Sequence, residues 1–223
     1  FRAVGSLANC AIPMTVLNSV VAKQLKDFKD EVDALIEEKD LKKDEAIFNV
    51  LREYIKDSKK ILFEGNGYSA EWEIEAAKRG LSNNKTTPIA LKADVAPKTI
   101  SLYEELEVMN KVEIEARHEI KLEEYTKRIQ IEARVLGDIA LNHVVPTALN
   151  YQNILITNVS GLKEVFEEEF RTIAKDQMDL IRKISVHTSA ISQNVHDMIE
   201  ERKKANVIEH AEDMAIAYCD KVK

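Results

Sequence analysis

The sequence contains little glycine and little proline, six and four residues respectively among 223. These residues build most tight turns, so few turns are available to the chain. Apolar residues make up 45 % of the sequence and charged residues 32 %. This balance favours long helices over a sheet, and we predict an all-α fold.

Cysteine is scarce as well, since the chain has only Cys10 and Cys219, at opposite ends and outside any CxxC pair. Neither a disulfide framework nor a zinc site can be inferred from this pattern, and we expect reduced thiols in a cytoplasmic protein. No apolar run approaches the ~18 residues of a membrane span, and no basic segment followed by an apolar one begins the chain. We therefore expect neither a membrane partner nor a signal peptide.

No charge of one sign dominates, because 32 basic and 39 acidic residues are mixed along the chain and give a net charge of −7. This gives no electrostatic reason to expect nucleic acid or an anionic membrane as a partner. The basic runs at 59–60 and 202–204 are short, and we interpret them as solvated helix faces.

Apolar residues at three- and four-residue steps predict an amphipathic helix from Met14 to about Glu38. The segment before it, up to Pro13, has no helical period and is predicted to be non-helical. Asp44 is the predicted N-cap of a second helix, which we expect to end at Gly65-Asn66-Gly67 through left-handed backbone.

The stretch Phe63–Leu91 is the main irregular connection, with three of the six glycines and the only tryptophan. We predict a helix over 70–79 that is stopped by Gly80, and a short helix with Pro88 in its first turn. Two aromatic side chains of this stretch are expected to pack against the long helix that follows: Tyr68 and Trp72.

That long helical pattern extends from Leu102 to Val144, with Thr99 or Ser101 as a possible cap. Pro146 predicts a kink or break near 144–145 and a continuation toward residue 156. The pattern at 164–200 is close to a heptad repeat, and a last apolar stripe follows a turn at 202–206. We therefore predict an antiparallel helical hairpin at about 164–223, projecting from or packing on a long-helix bundle.

Few residues form patterns that could carry chemistry. Glu115 and His118 have the Glu-x-x-His spacing of di-iron bundle proteins, but no second pair exists, so a solvent-facing pair is favoured. His187 falls within an apolar stripe and is predicted to be a seam residue. Gly65-Asn66-Gly67 matches neither phosphate-binding glycine motif. These patterns indicate a helical interaction or scaffold module without its own active site or metal site.

Several separate motifs nevertheless resemble type III glutamine synthetases, and the resemblance extends over essentially the whole chain. The motif at 1–10 with 13–18 is similar to the last catalytic-domain motif of that family. The remaining motifs resemble its C-terminal region: Phe63-Glu-Gly-Asn-Gly-Tyr-Ser-Ala-Glu-Trp72, Lys78-Arg-Gly-Leu81, Thr87-Pro88, Gln130-Ile-Glu-Ala-Arg-Val-Leu-Gly-Asp138, Asn142-His-Val-Val-Pro146 and Tyr151-Gln-Asn153.

The resemblance assigns one candidate catalytic and substrate-binding residue, Arg2. In the family this arginine holds the substrate carboxylate or the transferring phosphoryl group, for which a guanidinium offers a bidentate fork. A metal-binding Glu of the family would fall immediately before Phe1 and is absent. Leu7 and Ile12 depart from the family pattern, which bears on the local loop conformation.

The resemblance also implies a domain arrangement and an activity. Residues 1–40 would end the catalytic domain and lead into a helix, and residues 41–223 would form the helical C-terminal domain. The family ligates ammonia to glutamate through γ-glutamyl phosphate, using ATP with Mg²⁺ or Mn²⁺. We expect this chain alone to be inactive, to bind no cofactor, and to serve structure, with its own upstream catalytic domain and further subunits of a homo-oligomeric ring as partners.

Two other interpretations remain open from the residues alone: a stand-alone helical interaction protein and a di-iron bundle oxidase. The sequence begins with Phe1 where an open reading frame would begin with Met. We therefore expect a longer protein with a catalytic region upstream.

Overall fold

In the computed structural model, residues 9–223 are described, and within this range the chain forms helices and no strand, which confirms the all-α prediction. The helices are α1 (Ala11–Lys39), α2 (Lys43–Ser58), α3 (Ala70–Lys78), α4 (Thr87–Leu91), α5 (Pro97–Glu105), α6 (Lys111–Ile139), α7 (Val145–Phe166), α8 (Phe170–Ile173), α9 (Lys175–Ala205) and α10 (Ala211–Ala217). A 3₁₀ turn at Lys59–Ile61 and π-helical turns at Ala140–Val144 and Tyr218–Val222 complete the set.

The described residues form two compact units. The first unit contains 9–85 and 92–118, and the second contains 86–91 and 119–223. The division predicted near residue 40, between a catalytic remnant and a helical domain, stays a prediction.

Helix α1 begins three residues earlier than the pattern predicted, because Pro13 lies in its first turn and does not end a loop. Backbone N–H groups of the first turn have no helical partner, so proline costs little there. The Asn9 side chain accepts a hydrogen bond from the Ala11 amide at 2.8 Å, and the Met14 amide donates to the Cys10 carbonyl at 3.1 Å. The prediction of a non-helical segment is therefore wrong for residues 11–13, and its first eight residues lie outside the described residues.

The core of the first unit lies between α1 and α2, around the buried side chains of Val32, Ala46 and Val50. The Phe28 ring meets the Tyr54 ring edge-to-face at 5.9 Å, and the Tyr54 hydroxyl donates to Glu31 at 2.7 Å. Partly buried apolar side chains surround this core: Leu35, Ile36, Leu41 and Ile47.

Two predicted boundaries of α2 are wrong. Asp44 lies in the first turn, where the helix dipole stabilises a negative charge. Lys42 precedes the helix and provides no side-chain cap. At the other end the helix stops at Ser58 and the 3₁₀ turn follows, before Gly65 is reached. Gly65 and Gly67 do not adopt a left-handed backbone, so they do not terminate α2.

Gly80 ends α3 as predicted, with φ of +72°. The Gly80 amide donates to the Ala77 carbonyl and the Leu81 amide to the Ala76 carbonyl, both at 3.0 Å. This pair of bonds is the Schellman motif, which satisfies carbonyl groups at a helix C-terminus. Pro88 lies in the first turn of α4, also as predicted.

The helical pattern predicted to run continuously from Leu102 is interrupted between α5 and α6. Glu107 has φ of +56°, its amide donates to the Glu104 carbonyl at 3.1 Å, and the Val108 amide donates to the Tyr103 carbonyl at 2.9 Å. These bonds again form a Schellman motif, here with a glutamate in the position that glycine usually occupies. Apolar spacing alone does not indicate such an end.

Helix α6 then begins with a reciprocal cap. The Glu113 amide donates to the Asn110 side chain at 3.0 Å, and the Asn110 amide donates to the Glu113 carboxylate at 2.9 Å. This is a capping box with asparagine in the first position. The caps predicted for α5 are wrong, because Ala96 precedes that helix and the Thr99 hydroxyl instead donates to the Ala93 carbonyl at 2.8 Å.

The break predicted near Pro146 is confirmed, and it takes the form of the π turn at Ala140–Val144. Proline has no amide hydrogen to donate to the preceding turn, and a π turn accommodates this loss locally. The chain then continues as α7 to Phe166, beyond the predicted residue 156.

In the second unit, α7 and α9 pack extensively against each other. Gln152 is buried between them, and its amide group donates to the Ile181 carbonyl at 2.8 Å and to the Ser185 hydroxyl. The hairpin predicted within 164–223 is thus only part of the packing. After the predicted turn at 202–206, the second π turn packs against α9, while α10 contacts α4 and that π turn.

His187 is exposed, so its predicted place in the α9 seam is wrong. The adjacent Thr188 is buried instead. Because successive residues of a helix are rotated by about 100°, His187 and Thr188 point in clearly different directions. The buried stripe of α9 continues through Val195 and Ala205.

We expect the two Schellman positions to respond in opposite directions to substitution. Glu107→Gly should raise the free energy of unfolding by about 0.5–1 kcal/mol, because glycine adopts positive φ without a steric penalty. Gly80→Ala should lower the free energy of unfolding by about 1 kcal/mol, because alanine is strained at positive φ. Urea unfolding followed by far-UV circular dichroism measures both. Gly67→Ala is the control, since its φ is not positive and its added methyl group would meet no atom within 4 Å.

Candidate functional site

The residue that the sequence assigned to chemistry, Arg2, lies outside the described residues, and its role stays a prediction. Within the described range, side chains that could carry function occur in four places. These are an aromatic cluster beside α3, a polar cluster at the end of α9, and two exposed apolar helix faces.

The aromatic cluster consists of Phe63, Trp72 and Arg79. The Phe63 and Trp72 rings have centroids 4.1 Å apart, and the Arg79 guanidinium carbon lies 5.8 Å from each centroid. Arg79 is held there because it donates to the Leu62 carbonyl at 3.1 Å and to the Glu75 carboxylate at 2.7 Å. The bond from Arg79 also lowers the pKa of Glu75.

The glycine-rich loop before α3 satisfies its own backbone groups. The Asn66 side chain accepts from the Tyr68 amide at 3.0 Å, the Asn66 carbonyl accepts from the Ser69 amide at 3.2 Å, and the Ser69 hydroxyl accepts from the Trp72 amide at 3.3 Å. A methyl group on Gly65 would overlap the Phe63 ring, which explains glycine at that position. The loop thus shapes the entry into α3.

The packing predicted for the two aromatic residues of this stretch is not what the structure shows. Tyr68 is 81 % exposed, so it does not pack against α6. Trp72 is half-buried against Phe63 and Arg79, within the first unit. Periodicity could not indicate this, because the contacts come from a neighbouring loop.

The Glu-x-x-His pair divides between two environments. Glu115 is exposed, 3.6 Å from Lys111, as predicted for a solvent-facing residue. His118 is half-buried, and its Nδ1 atom is buried without a hydrogen-bond partner. Among residues 9–223 no group of three or more His, Cys, Asp or Glu side chains is placed to hold a metal ion.

The polar cluster at the end of α9 consists of Gln130, Asn206 and Tyr218. Tyr218 is fully buried, and its hydroxyl accepts a hydrogen bond from the Gln130 side chain at 2.8 Å and donates one to the Asn206 side chain. Gln130 also donates to Asn206 at 2.8 Å. The cluster joins α6, the end of α9 and the C-terminal π turn through side chains far apart in sequence. The sequence placed Tyr218 in an apolar stripe and gave no sign of its polar partners.

Tyr125 lies next to this cluster. Burial raises the pKa of Tyr125 well above its ordinary value, and a hydrogen bond with Cys219 and the negative charges of Asp220 and Glu132 raise it further. Cys219 is half-buried. These contacts hold the C-terminal π turn against α6.

Two helix faces expose apolar side chains. The α1 face, as we define it, consists of Met14, Leu17, Val20, Val21 and Leu25. The α7 face, as we define it, consists of Tyr151 and Ile154 of α7 together with Val144 at the end of the preceding π turn. It lies within a stretch from 139 to 162 that has no Asp, Glu, Lys or Arg. Neither these helices nor any other in the described part is long and apolar enough to cross a membrane.

Comparison with known families accounts for this helical arrangement. Residues 46–163, just over half of the chain from α2 to α7, match the sequence profile described as the glutamine synthetase C-terminal domain. The chain belongs to this family. The match covers the glycine-rich loop, the aromatic cluster, α6 and the first π turn, and it agrees with the resemblance found in the sequence motifs.

Similarity to individual glutamine synthetases extends beyond the matched region. The chain is 47 % identical to a glutamine synthetase of Bacteroides fragilis (strain YCH46), with all of the chain and 31 % of the relative aligned. It is 31 % identical to a type-3 glutamine synthetase of Dictyostelium discoideum, over 92 % of the chain and 27 % of the relative. A glutamine synthetase of Butyrivibrio fibrisolvens is 28 % identical over 78 % of the chain and 24 % of the relative. The chain therefore spans about a third or less of the length of these relatives.

The Tyr218 cluster makes a prediction about stability. Tyr218→Phe should lower the free energy of unfolding by about 1 kcal/mol, because it removes the buried hydroxyl that accepts from Gln130 and donates to Asn206. Urea unfolding measures the change. Tyr151→Phe, which removes a hydroxyl from a half-exposed side chain, serves as the control and should be nearly neutral. Equal effects of the two substitutions would contradict the role of the cluster.

The raised pKa of Tyr125 predicts a loss of stability at alkaline pH. The unfolded chain releases the phenol proton near pH 10, while the folded chain holds it to higher pH. The contribution of Tyr125 is therefore fully present below about pH 10 and is lost as the pH rises toward the folded pKa. We expect Tyr125→Phe to flatten the fall in melting temperature above pH 10. An unchanged alkaline slope would contradict this account.

Proposed function

We propose that this chain is the C-terminal part of a glutamine synthetase that ligates ammonia to glutamate with ATP. The observation that carries the proposal is the family match at 46–163, together with 47 % identity to a glutamine synthetase along the whole chain. The reaction would pass through γ-glutamyl phosphate and use Mg²⁺ or Mn²⁺ to neutralise the phosphate charge. The two free cysteines fit a cytoplasmic enzyme.

Arg2 is the residue of this chain that we propose to act in the reaction. A guanidinium forms two parallel hydrogen bonds with a carboxylate or a phosphoryl group, and it stabilises the charge that develops during phosphoryl transfer. The metal ligands and the ATP-binding residues would come from the catalytic region upstream. The rest of this chain then serves structure, and the chain alone should produce no glutamine.

Replacing Arg2 in the full-length protein tests this role. We expect Arg2→Ala to lower kcat/KM by about 10²–10³, since one preorganised donor to a developing charge is lost. Arg52→Ala is the control, because Arg52 is an exposed residue of α2 whose ion pair is with the adjacent, equally exposed Glu53. Formation of γ-glutamyl hydroxamate measures both variants. Full activity of Arg2→Ala, or ATP-dependent product from the 223-residue chain alone, would overturn the proposal.

We also propose that the second unit contributes a subunit contact in a homo-oligomeric ring. The near-heptad stripe of α9 does not offer a free surface for this contact. Ile184 and Ile191 are half-buried and lie on the same side of the helix as the buried Thr188 and Val195. That side is already used for packing within the chain. The α7 face supports the contact better, since its three large side chains are exposed in a stretch without charges.

Paired substitutions separate assembly from folding. Ile154→Asp in the full-length protein should lower the assembly state without loss of helicity, because Ile154 is 65 % exposed. Ile184→Asp should instead lower the free energy of unfolding by about 2 kcal/mol or more, because it places a charge in the half-buried stripe. Light scattering and urea unfolding measure the two effects. Intact rings for Ile154→Asp would exclude the α7 face as the contact.

A further inference from the structure

The apolar residues of α1 form one stripe along the helix, and only half of that stripe is covered. In the C-terminal half, Phe28, Val32, Leu35 and Ile36 pack against α2. In the N-terminal half, the α1 face continues the same stripe with Met14, Leu17, Val20, Val21 and Leu25, each at least half exposed. Residues at three- and four-residue steps lie on one side of a helix, so the covered and uncovered halves point in the same direction.

The other side of α1 is already occupied within the first unit. Ser19 is buried, and Lys23 and Lys26 each form an ion pair with Glu105 of α5 at 3.1 Å. Nine helical positions separate Leu17 from Lys26, which places them about 180° apart. Helix α5 therefore packs opposite the α1 face and leaves it uncovered.

The composition of this half-helix is that of a protein core. Residues 11–22 contain no Asp, Glu, Lys or Arg, although 32 % of the whole chain is charged. A helix face in contact with water normally carries charged side chains. A contiguous apolar patch of this kind marks a contact with another part of the protein or with a partner.

We propose that the α1 face packs against the catalytic region that precedes this chain in the full-length enzyme, and so extends the α1–α2 core across the junction. The inference rests on the proposed function. Its occupant follows from two observations. The curated relatives are about three times as long as this chain, so a large region remains to cover the face. Met14 also lies only thirteen residues after Phe1, and this short covalent connection gives the preceding region a high effective concentration at the α1 face.

The test measures the accessibility of single cysteines in the full-length protein. Leu17→Cys, Val21→Cys and the control Val112→Cys are treated with a maleimide under native conditions, and the label at each position is quantified by peptide mass spectrometry, which separates it from Cys10 and Cys219. Val112 is 72 % exposed in α6, against 50 % for Leu17 and 56 % for Val21. Urea-denatured protein gives the reference rate for each thiol.

In the native enzyme we expect positions 17 and 21 to react at least about tenfold more slowly than position 112, because maleimide attack requires an accessible thiolate. Native rates within about twofold of the control would overturn the proposal. Protection that disappears when the enzyme is diluted to single subunits would also overturn it, because a second copy would then cover the face. Glutamine synthetase activity of the same samples is measured separately, so failure of the proposed function is distinguished from failure of the packing.

Discussion

The structure depends on how the backbone groups at its helix ends are satisfied. Every helix leaves N–H groups free at one end and carbonyl groups free at the other, and a chain with six glycines has few of the usual terminators. Gly80 is the one described glycine with a left-handed backbone, and Asp40, Glu107 and Glu167 adopt positive φ elsewhere. Ordinary residues are thus held in a disfavoured conformation so that long helices can end where packing requires it.

This explains which parts of the fold the sequence could predict. Apolar periodicity located the long helices because their buried sides follow the helical repeat, and Gly80 and Pro146 were informative because each has a specific backbone preference. The end at Glu107 was missed because glutamate does not favour a left-handed conformation. The Asn110–Glu113 cap could have been recognised from its spacing.

The candidate site divides in the same way. Arg2 came from motif resemblance and lies outside the described residues, whereas the Tyr218 cluster could not be found from the sequence, because its members are brought together only by the packing of three elements. The exposure of the α1 face was hidden for a different reason. Periodicity indicates which side of a helix is apolar, but it does not indicate whether that side is covered by this chain or by another part of the protein.

The π turn at 140–144 fixes the rotation of α7 about its axis relative to the end of α6. In an uninterrupted α-helix, Gln152 would point about 120° away from the buried side of Ala140. The extra residue of a π turn reduces this angle to about 20°, and Gln152 then reaches α9. The length of this turn therefore cannot change by one residue without turning the α7 face and its uncharged surface to another side of the molecule. An insertion or deletion in this turn would rotate α7 about its axis, whereas one in a loop would change only the length of the loop.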